Sequence, residues 1–68
     1  MRNDEKILNF LEQNNHCYCD DCISKLCGIY PRQQVNKICN LRIQDELIKE
    51  VNTCYVCRKE KITRKKYN

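Results

Sequence analysis

The sequence contains two Cys-x-x-Cys motifs, Cys19-Asp20-Asp21-Cys22 and Cys54-Tyr55-Val56-Cys57, with 31 residues between them. Two residues between the thiols let a turn bring both sulfurs to one side of the backbone, about 2.3 Å from a zinc ion. A second motif completes a tetrahedron and leaves no position for water or substrate. The spacing therefore predicts one structural Zn²⁺ per chain, with four ligands: Cys19, Cys22, Cys54 and Cys57.

The length of the chain and its seven cysteines support a metal site. A domain of 68 residues buries only about 60% of the surface that its unfolded chain exposes, so it needs a metal, a disulfide or a partner. The N-terminal segment is polar and has no apolar signal sequence, which favours a cytoplasmic location where thiols stay reduced. No stretch is long and apolar enough to cross a membrane.

Three alternatives to this assignment remain open at the level of sequence. Cys17 is a competitor for the place of Cys19, although only Cys19 belongs to a Cys-x-x-Cys motif. His16 is a further candidate ligand, and iron also accepts four cysteine ligands. Cys27 and Cys39 lie on apolar helical faces, and we interpret them as small buried hydrophobic residues.

The first two thirds of the chain predict three helices. Residues 3–14 and 20–27 have the apolar spacing of amphipathic helices, and a third helix is expected from Pro31 to about residue 43. Gly28 is the only glycine and suits the left-handed position that ends a helix, whereas Pro31 suits the first turn of the next helix. The second and third helices therefore form a helix-turn-helix.

The apolar positions of these helices define an expected core. Its members are Ile7, Phe10, Leu11, Ile23, Leu26, Val35 and Ile38. Asp20 is the expected N-cap of the second helix, and Asn3 or Asp4 that of the first. Arg42 falls on the inner face of the third helix, so either its aliphatic stem packs there or the helix ends before it.

The last third of the chain predicts a β-hairpin. Residues 47–52 and 55–63 are rich in β-formers, and residues 52–54 between them resemble a turn. The expected fold is α+β, mainly α, with three helices followed by a two-stranded hairpin. We expect one domain over residues 1–63 and a basic C-terminal tail over residues 64–68.

The order of helix, helix-turn-helix and hairpin resembles that of winged-helix domains, over residues 4–63. It is similar to compact winged helices in which a four-cysteine zinc site joins the second helix to the wing. The matching residues are the four predicted ligands and Arg32-Gln33-Gln34-Val35-Asn36, which open the third helix. Gln34 and Glu46 depart from the commonest pattern, which has an apolar residue and a glycine there. The resemblance implies a small transcriptional regulator that places its third helix in the major groove of duplex DNA.

The distribution of charge is consistent with such a partner. The net charge is +4. Residues 58–68 hold six basic residues and one acidic residue, whereas residues 1–57 hold seven basic residues and eight acidic residues. The outer face of the third helix is polar, and its donors suit base edges and phosphates. The candidate DNA-binding residues are Arg32, Gln33, Asn36, Lys37, Asn40, Arg58, Lys59, Lys61 and Arg64.

No arrangement of residues suggests an enzyme. The chain has a single histidine and a single glycine, and it has no phosphate-cradling glycine loop.

One small domain that inserts one helix binds DNA weakly, so we expect a homodimer or a larger complex to be needed for specific binding. The alternative function is a zinc-stapled protein-interaction domain, which the acidic balance of residues 1–57 favours.

Overall fold

The protein forms three α-helices and a three-stranded antiparallel sheet in a computed structural model that describes residues 2–67. The α+β fold, mainly α, is thus confirmed, but the sheet has three strands and not two. A single 3₁₀ turn, Gln44–Glu46, precedes the second strand. In chain order the elements are α1 (Asn3–Gln13), β1 (Tyr18–Cys19), α2 (Asp20–Cys27), α3 (Arg32–Leu41), β2 (Leu47–Thr53) and β3 (Glu60–Lys66).

The turn between α2 and α3 begins with the conformation that Gly28 predicts. Gly28 ends α2 with φ of 69°, in the left-handed region that glycine adopts without strain. The side-chain hydroxyl of Ser24 donates to the carbonyl of Ile29, which fixes the turn against α2. Pro31 is the residue before α3 and not its first helical residue, and α3 ends at Leu41. Arg42 therefore lies just outside the helix, and its side chain is exposed.

Two predicted N-caps are wrong. α2 begins at Asp20 with Cys19 in the N-cap position, and α1 begins at Asn3 with Arg2 in that position. Asp20 thus lies in the first turn of α2, which leaves its carboxylate available for a contact elsewhere.

β3 is the central strand of the sheet, between β1 and β2. Tyr18 of β1 pairs with Arg64, and Val51 of β2 pairs with Ile62. β3 begins five residues later than predicted and extends to Lys66, because the loop after β2 occupies residues 54–59. Residues 64–66 are consequently part of the sheet and not of a tail, whereas residue 68 of that predicted tail lies outside the described residues.

The core lies between the helices and the sheet. Six of its seven predicted members pack there: Ile7, Leu11, Ile23, Val35 and Ile38 are buried, and Phe10 is half-buried against them. Leu26 is wrong, because 53% of its surface is exposed, in a groove between α1 and α2. Loops, turns and strands supply four buried residues that helical spacing does not identify: Tyr18, Ile29, Ile43 and Leu47.

A buried arginine joins the sheet to both helices of the helix-turn-helix. Arg64 is 2% exposed. Its Nε and Nη2 donate to the two carboxylate oxygens of Asp20, at 3.0 and 3.1 Å, and its Nη1 donates to Oδ1 of Asn40 at 2.8 Å. Asn36 donates to the same carboxylate at 3.0 Å and accepts from Asn40 at 3.1 Å. The network therefore connects β3, the start of α2 and the middle of α3.

We expect Asp20→Asn to lower the free energy of unfolding by about 3–5 kcal/mol, because it leaves the charge of Arg64 buried without its counter-ion. Urea denaturation of the metal-loaded protein measures this change. Asp45→Asn removes the same charge from an exposed residue and should change stability by about 0.5 kcal/mol or less. Equal effects of the two substitutions would contradict a structural role for the pair.

Candidate metal centre

The structure brings the four predicted ligands into one cluster. The Sγ atoms of Cys22 and Cys54 are 3.6 Å apart, and those of Cys19 and Cys57 are 3.9 Å apart. All four lie within 4.8 Å of one another. Four sulfurs placed tetrahedrally at about 2.3 Å from a metal would be separated by about 3.8 Å. The donor set and its spacing therefore fit a tetrahedral metal ion.

Each half of the cluster is held by local backbone structure. Cys19 ends β1 and caps α2, so that Cys22 falls in the first turn of that helix. Cys54 follows β2 and opens the loop of residues 54–59, which we call the cysteine loop. There the backbone N–H of Cys54 donates to the carbonyl of Lys59, and that of Arg58 donates to the carbonyl of Cys54, both at 3.0 Å. The reversal places Arg58 in the left-handed region, with φ of 63°.

Backbone N–H groups favour a thiolate at Cys54. Burial by itself would raise the pKa of this thiol, but the N–H groups of Cys19, Cys57 and Val56 lower it to about 6. The N–H of Cys19 lies 3.4 Å from the sulfur. Burial and neighbouring sulfurs instead raise the pKa of Cys22 to about 12. A metal ion must therefore displace protons from the cluster, which makes binding weaker as the pH falls.

The other candidate ligands lie outside the cluster. Cys17 lies outside it, with its Sγ 3.9 Å from Oε1 of Glu50. His16 stacks on Tyr55, with ring centroids 3.8 Å apart and an interplanar angle of 4°. Burial raises the pKa of Cys39 to about 12, which suits an inert core residue. Among residues 2–67, the cysteine cluster is the only group of this kind that fits a metal ion.

An aromatic cluster supports the cysteine loop and has no clear signal in the sequence. Tyr55 lies against His16, and the guanidinium of Arg58 lies 5.3 Å from the centre of the same ring. Tyr18 contacts Tyr55 edge-on at 6.0 Å and Phe10 at 4.8 Å. The backbone N–H of Tyr55 donates to the carbonyl of Cys17 at 2.8 Å. The loop is thus attached to the segment between α1 and α2 by more than its sulfurs.

Five of the nine predicted DNA-binding residues have partners within the protein. Asp21 forms ion pairs with Arg32 at 3.3 Å and with Lys61 at 3.4 Å. The other three, Asn36, Asn40 and Arg64, belong to the hydrogen-bond network around Asp20. Arg64 was expected to contact phosphate, and this is wrong because the side chain is buried. In the structure, the acidic residues Asp20 and Asp21 contact these cationic residues of α3 and β3.

The other four predicted residues are exposed. Gln33 and Lys37 lie on α3, and Lys59 lies in the cysteine loop together with Arg58, which also contacts Tyr55. The surface that remains accessible is therefore smaller than the sequence predicts, and it consists of one face of α3 and the end of the hairpin.

The chain matches no protein-family model, no curated protein and no solved structure in the three comparisons made. Within residues 2–67, no helix combines the length and the apolar character that crossing a membrane requires. The structure of the protein is that of a small helix-plus-sheet domain with a four-cysteine cluster suited to a metal ion.

We expect one metal ion per chain, lost when a cluster ligand is removed. Cys19→Ser and Cys54→Ser should both lose it, whereas Cys17→Ser should keep it, because Cys17 is two residues from Cys19 but lies outside the cluster. Native mass spectrometry of the folded protein counts the bound metal. Metal loss in Cys17→Ser together with full occupancy in Cys19→Ser would contradict the assignment.

Proposed function

We propose that this chain is a zinc-stabilised DNA-binding module and that it acts as a small transcriptional regulator. In this proposal, zinc joins the start of α2 to the cysteine loop, and α3 and the β2–β3 hairpin contact duplex DNA. Zinc is the metal favoured by four thiolates in a closed tetrahedral site, where it has a structural function and no catalytic one. A cytoplasmic location belongs to the same proposal, since the cluster requires reduced thiols.

The observation that supports DNA binding best is the segregation of charge. Apart from the buried Arg64, α3 and residues 61–66 together contain five basic residues and no acidic residue. The two segments lie beside one cleft of about 310 Å³, to which they contribute Arg32, Lys61 and Ile62, and Asp20 and Asp21 of α2 line the same cleft. A surface of this charge attracts the phosphate backbone by electrostatics that do not depend on sequence. The cleft itself is too open to suggest a buried small-molecule site.

The exposed face of α3 supports the same proposal. Gln33 and Lys37 are exposed on it, and their side chains carry the donors that read base edges in the major groove. The order of helices and hairpin that carries the winged-helix resemblance is retained in the fold. Asn36 and Asn40 are held by the network of Arg64, so we assign them to positioning the helix rather than to reading bases.

A protein-interaction domain is the second candidate, and exposed apolar residues of the hairpin favour it. Val51 and Ile62 pair across β2 and β3, and they are 67% and 50% exposed. Tyr55 and Val56 are also exposed in the cysteine loop. These exposed side chains offer apolar area that another protein, including a second copy of this chain, would bury on binding.

We expect removal of zinc by a strong chelator to unfold the domain cooperatively. The core is small, and zinc binding contributes directly to folding, with about 10–16 kcal/mol in zinc-finger peptides. Far-UV circular dichroism follows the loss of helix, and addition of zinc should restore it. Retention of the full helical signal after complete metal removal would contradict the proposal, and visible thiolate-to-iron absorption in the isolated protein would identify iron instead of zinc.

We expect duplex DNA to shift the backbone amide resonances of residues 32–41 and 58–63. Lys37→Gln and Lys59→Gln should each reduce the slope of log K against log salt by about one unit. Gln33→Ala should cost about 1–3 kcal/mol on a preferred site and little on other sequences. Lys6→Gln is the matched control, because Lys6 lines the separate groove between α1 and α2.

Nuclear magnetic resonance titration at low and moderate salt provides the measurement. Shifts confined to residues 51–57 on addition of a protein partner, with none on addition of DNA, would support the interaction domain and reject DNA binding.

A further inference from the structure

One carboxylate oxygen of Asp21 forms ion pairs with two cationic side chains, one from α3 and one from β3. Its Oδ2 lies 3.3 Å from Nη1 of Arg32 on α3 and 3.4 Å from Nζ of Lys61 on β3. All three side chains are partly exposed, at 36% for Asp21, 61% for Arg32 and 37% for Lys61. The contact therefore lies at the surface, between the two segments that we propose to contact DNA.

The chemistry of this contact resembles that of a phosphate. A phosphodiester also carries one negative charge on oxygen, and lysine and arginine are its usual partners. Asp20 cannot take over the role of Asp21, because both of its oxygens bind Arg64. The hydrogen bond from Lys61 to Asp21 raises the pKa of the lysine, so this contact favours the charged form of Lys61.

We propose that Asp21 is an internal competitor of DNA phosphate for Arg32 and Lys61 and that it thereby sets the affinity of the α3 and hairpin surface. This proposal rests on the DNA-binding function proposed above. When a phosphate approaches, Arg32 must exchange one anion for another, so the net electrostatic gain is small. The wild-type protein accordingly binds duplex DNA more weakly, and with a weaker dependence on salt, than the number of its basic residues suggests.

A structural role for Asp21 is the competing explanation. Its carboxylate lies in the first turn of α2, where negative charge stabilises a helix. If Asp21 served mainly to position Arg32 and Lys61, its removal would weaken DNA binding. If it competes with phosphate, its removal strengthens binding. The two roles therefore predict changes of opposite sign in DNA affinity when Asp21 is replaced.

The test compares Asp21→Asn with Asp45→Asn in the zinc-loaded protein, by fluorescence anisotropy on duplex DNA at several salt concentrations. Both substitutions remove one negative charge, but Asp45 lies in the 3₁₀ turn before β2. We expect Asp21→Asn to raise affinity about three- to tenfold at low salt and to steepen the salt slope by about one unit or more. Asp45→Asn should change affinity about twofold or less. Circular dichroism and metal content verify that both variants are folded.

Arg32→Gln in the two backgrounds separates local competition from a general charge effect. The substitution should reduce affinity more in the Asp21→Asn protein than in the wild type, because Asp21 no longer neutralises Arg32. Three results would each overturn the competition while DNA binding by the wild type stands. The first is an equal loss of affinity from Arg32→Gln in the two backgrounds, and the second is an equal effect of Asp21→Asn and Asp45→Asn on affinity. The third is weaker DNA binding by a folded Asp21→Asn protein. DNA binding detected only after Asp21→Asn would support the competition. No binding by either protein would reject this inference together with the proposed function.

Discussion

The fold depends on one geometric constraint, the convergence of residues 19–22 and 54–57 at four sulfur atoms within 4.8 Å of one another. The two segments are far apart in sequence, and the whole helix-turn-helix lies between them. β1 is only two residues long because the chain turns into α2 after Cys19, and β2 ends at Thr53, directly before Cys54 of the sulfur cluster. The sulfur cluster and the pairing of β1 with β3 therefore together hold the two ends of this loop in place.

The same convergence concentrates opposite charges. The first turn of α2 carries Asp20 and Asp21, and the closure of the loop places them beside three cationic side chains, from Arg32, Lys61 and Arg64. One pair is buried, so the loss of either partner would leave a buried charge uncompensated, whereas the other contacts lie at the surface and are individually weak. Residues that a sequence classifies together as basic thus divide into two groups that differ in their surroundings. Arg64 is a structural residue, and Arg32 and Lys61 remain partly accessible.

Local signals in the sequence predict much of this architecture. The helices follow from apolar spacing and from Gly28, and the cluster follows from the two Cys-x-x-Cys motifs, because both depend on residues close together in the chain. β1 is too short to have a period. The burial of Arg64 depends on Asp20, 44 positions away, so no local pattern marks it, and the charged run of residues 64–66 resembles a solvated tail. Leu26 is exposed although its spacing is that of a core residue, because α1 leaves a groove open beside it.

The position of β2 at the edge of the sheet has a consequence for solubility. An exposed strand edge is a template for pairing with another chain, and β2 carries exposed apolar side chains such as Val51. In the antiparallel register that pairs all seven residues of two copies of β2, Glu50 lies directly opposite Glu50. The two strands in such a pair are related by a twofold axis. When this axis moves by one residue toward the start of β2, Lys49 lies opposite Lys49. Like charges that face each other across strands are destabilising, so Glu50 and Lys49 disfavour edge-to-edge pairing of two copies in these two registers.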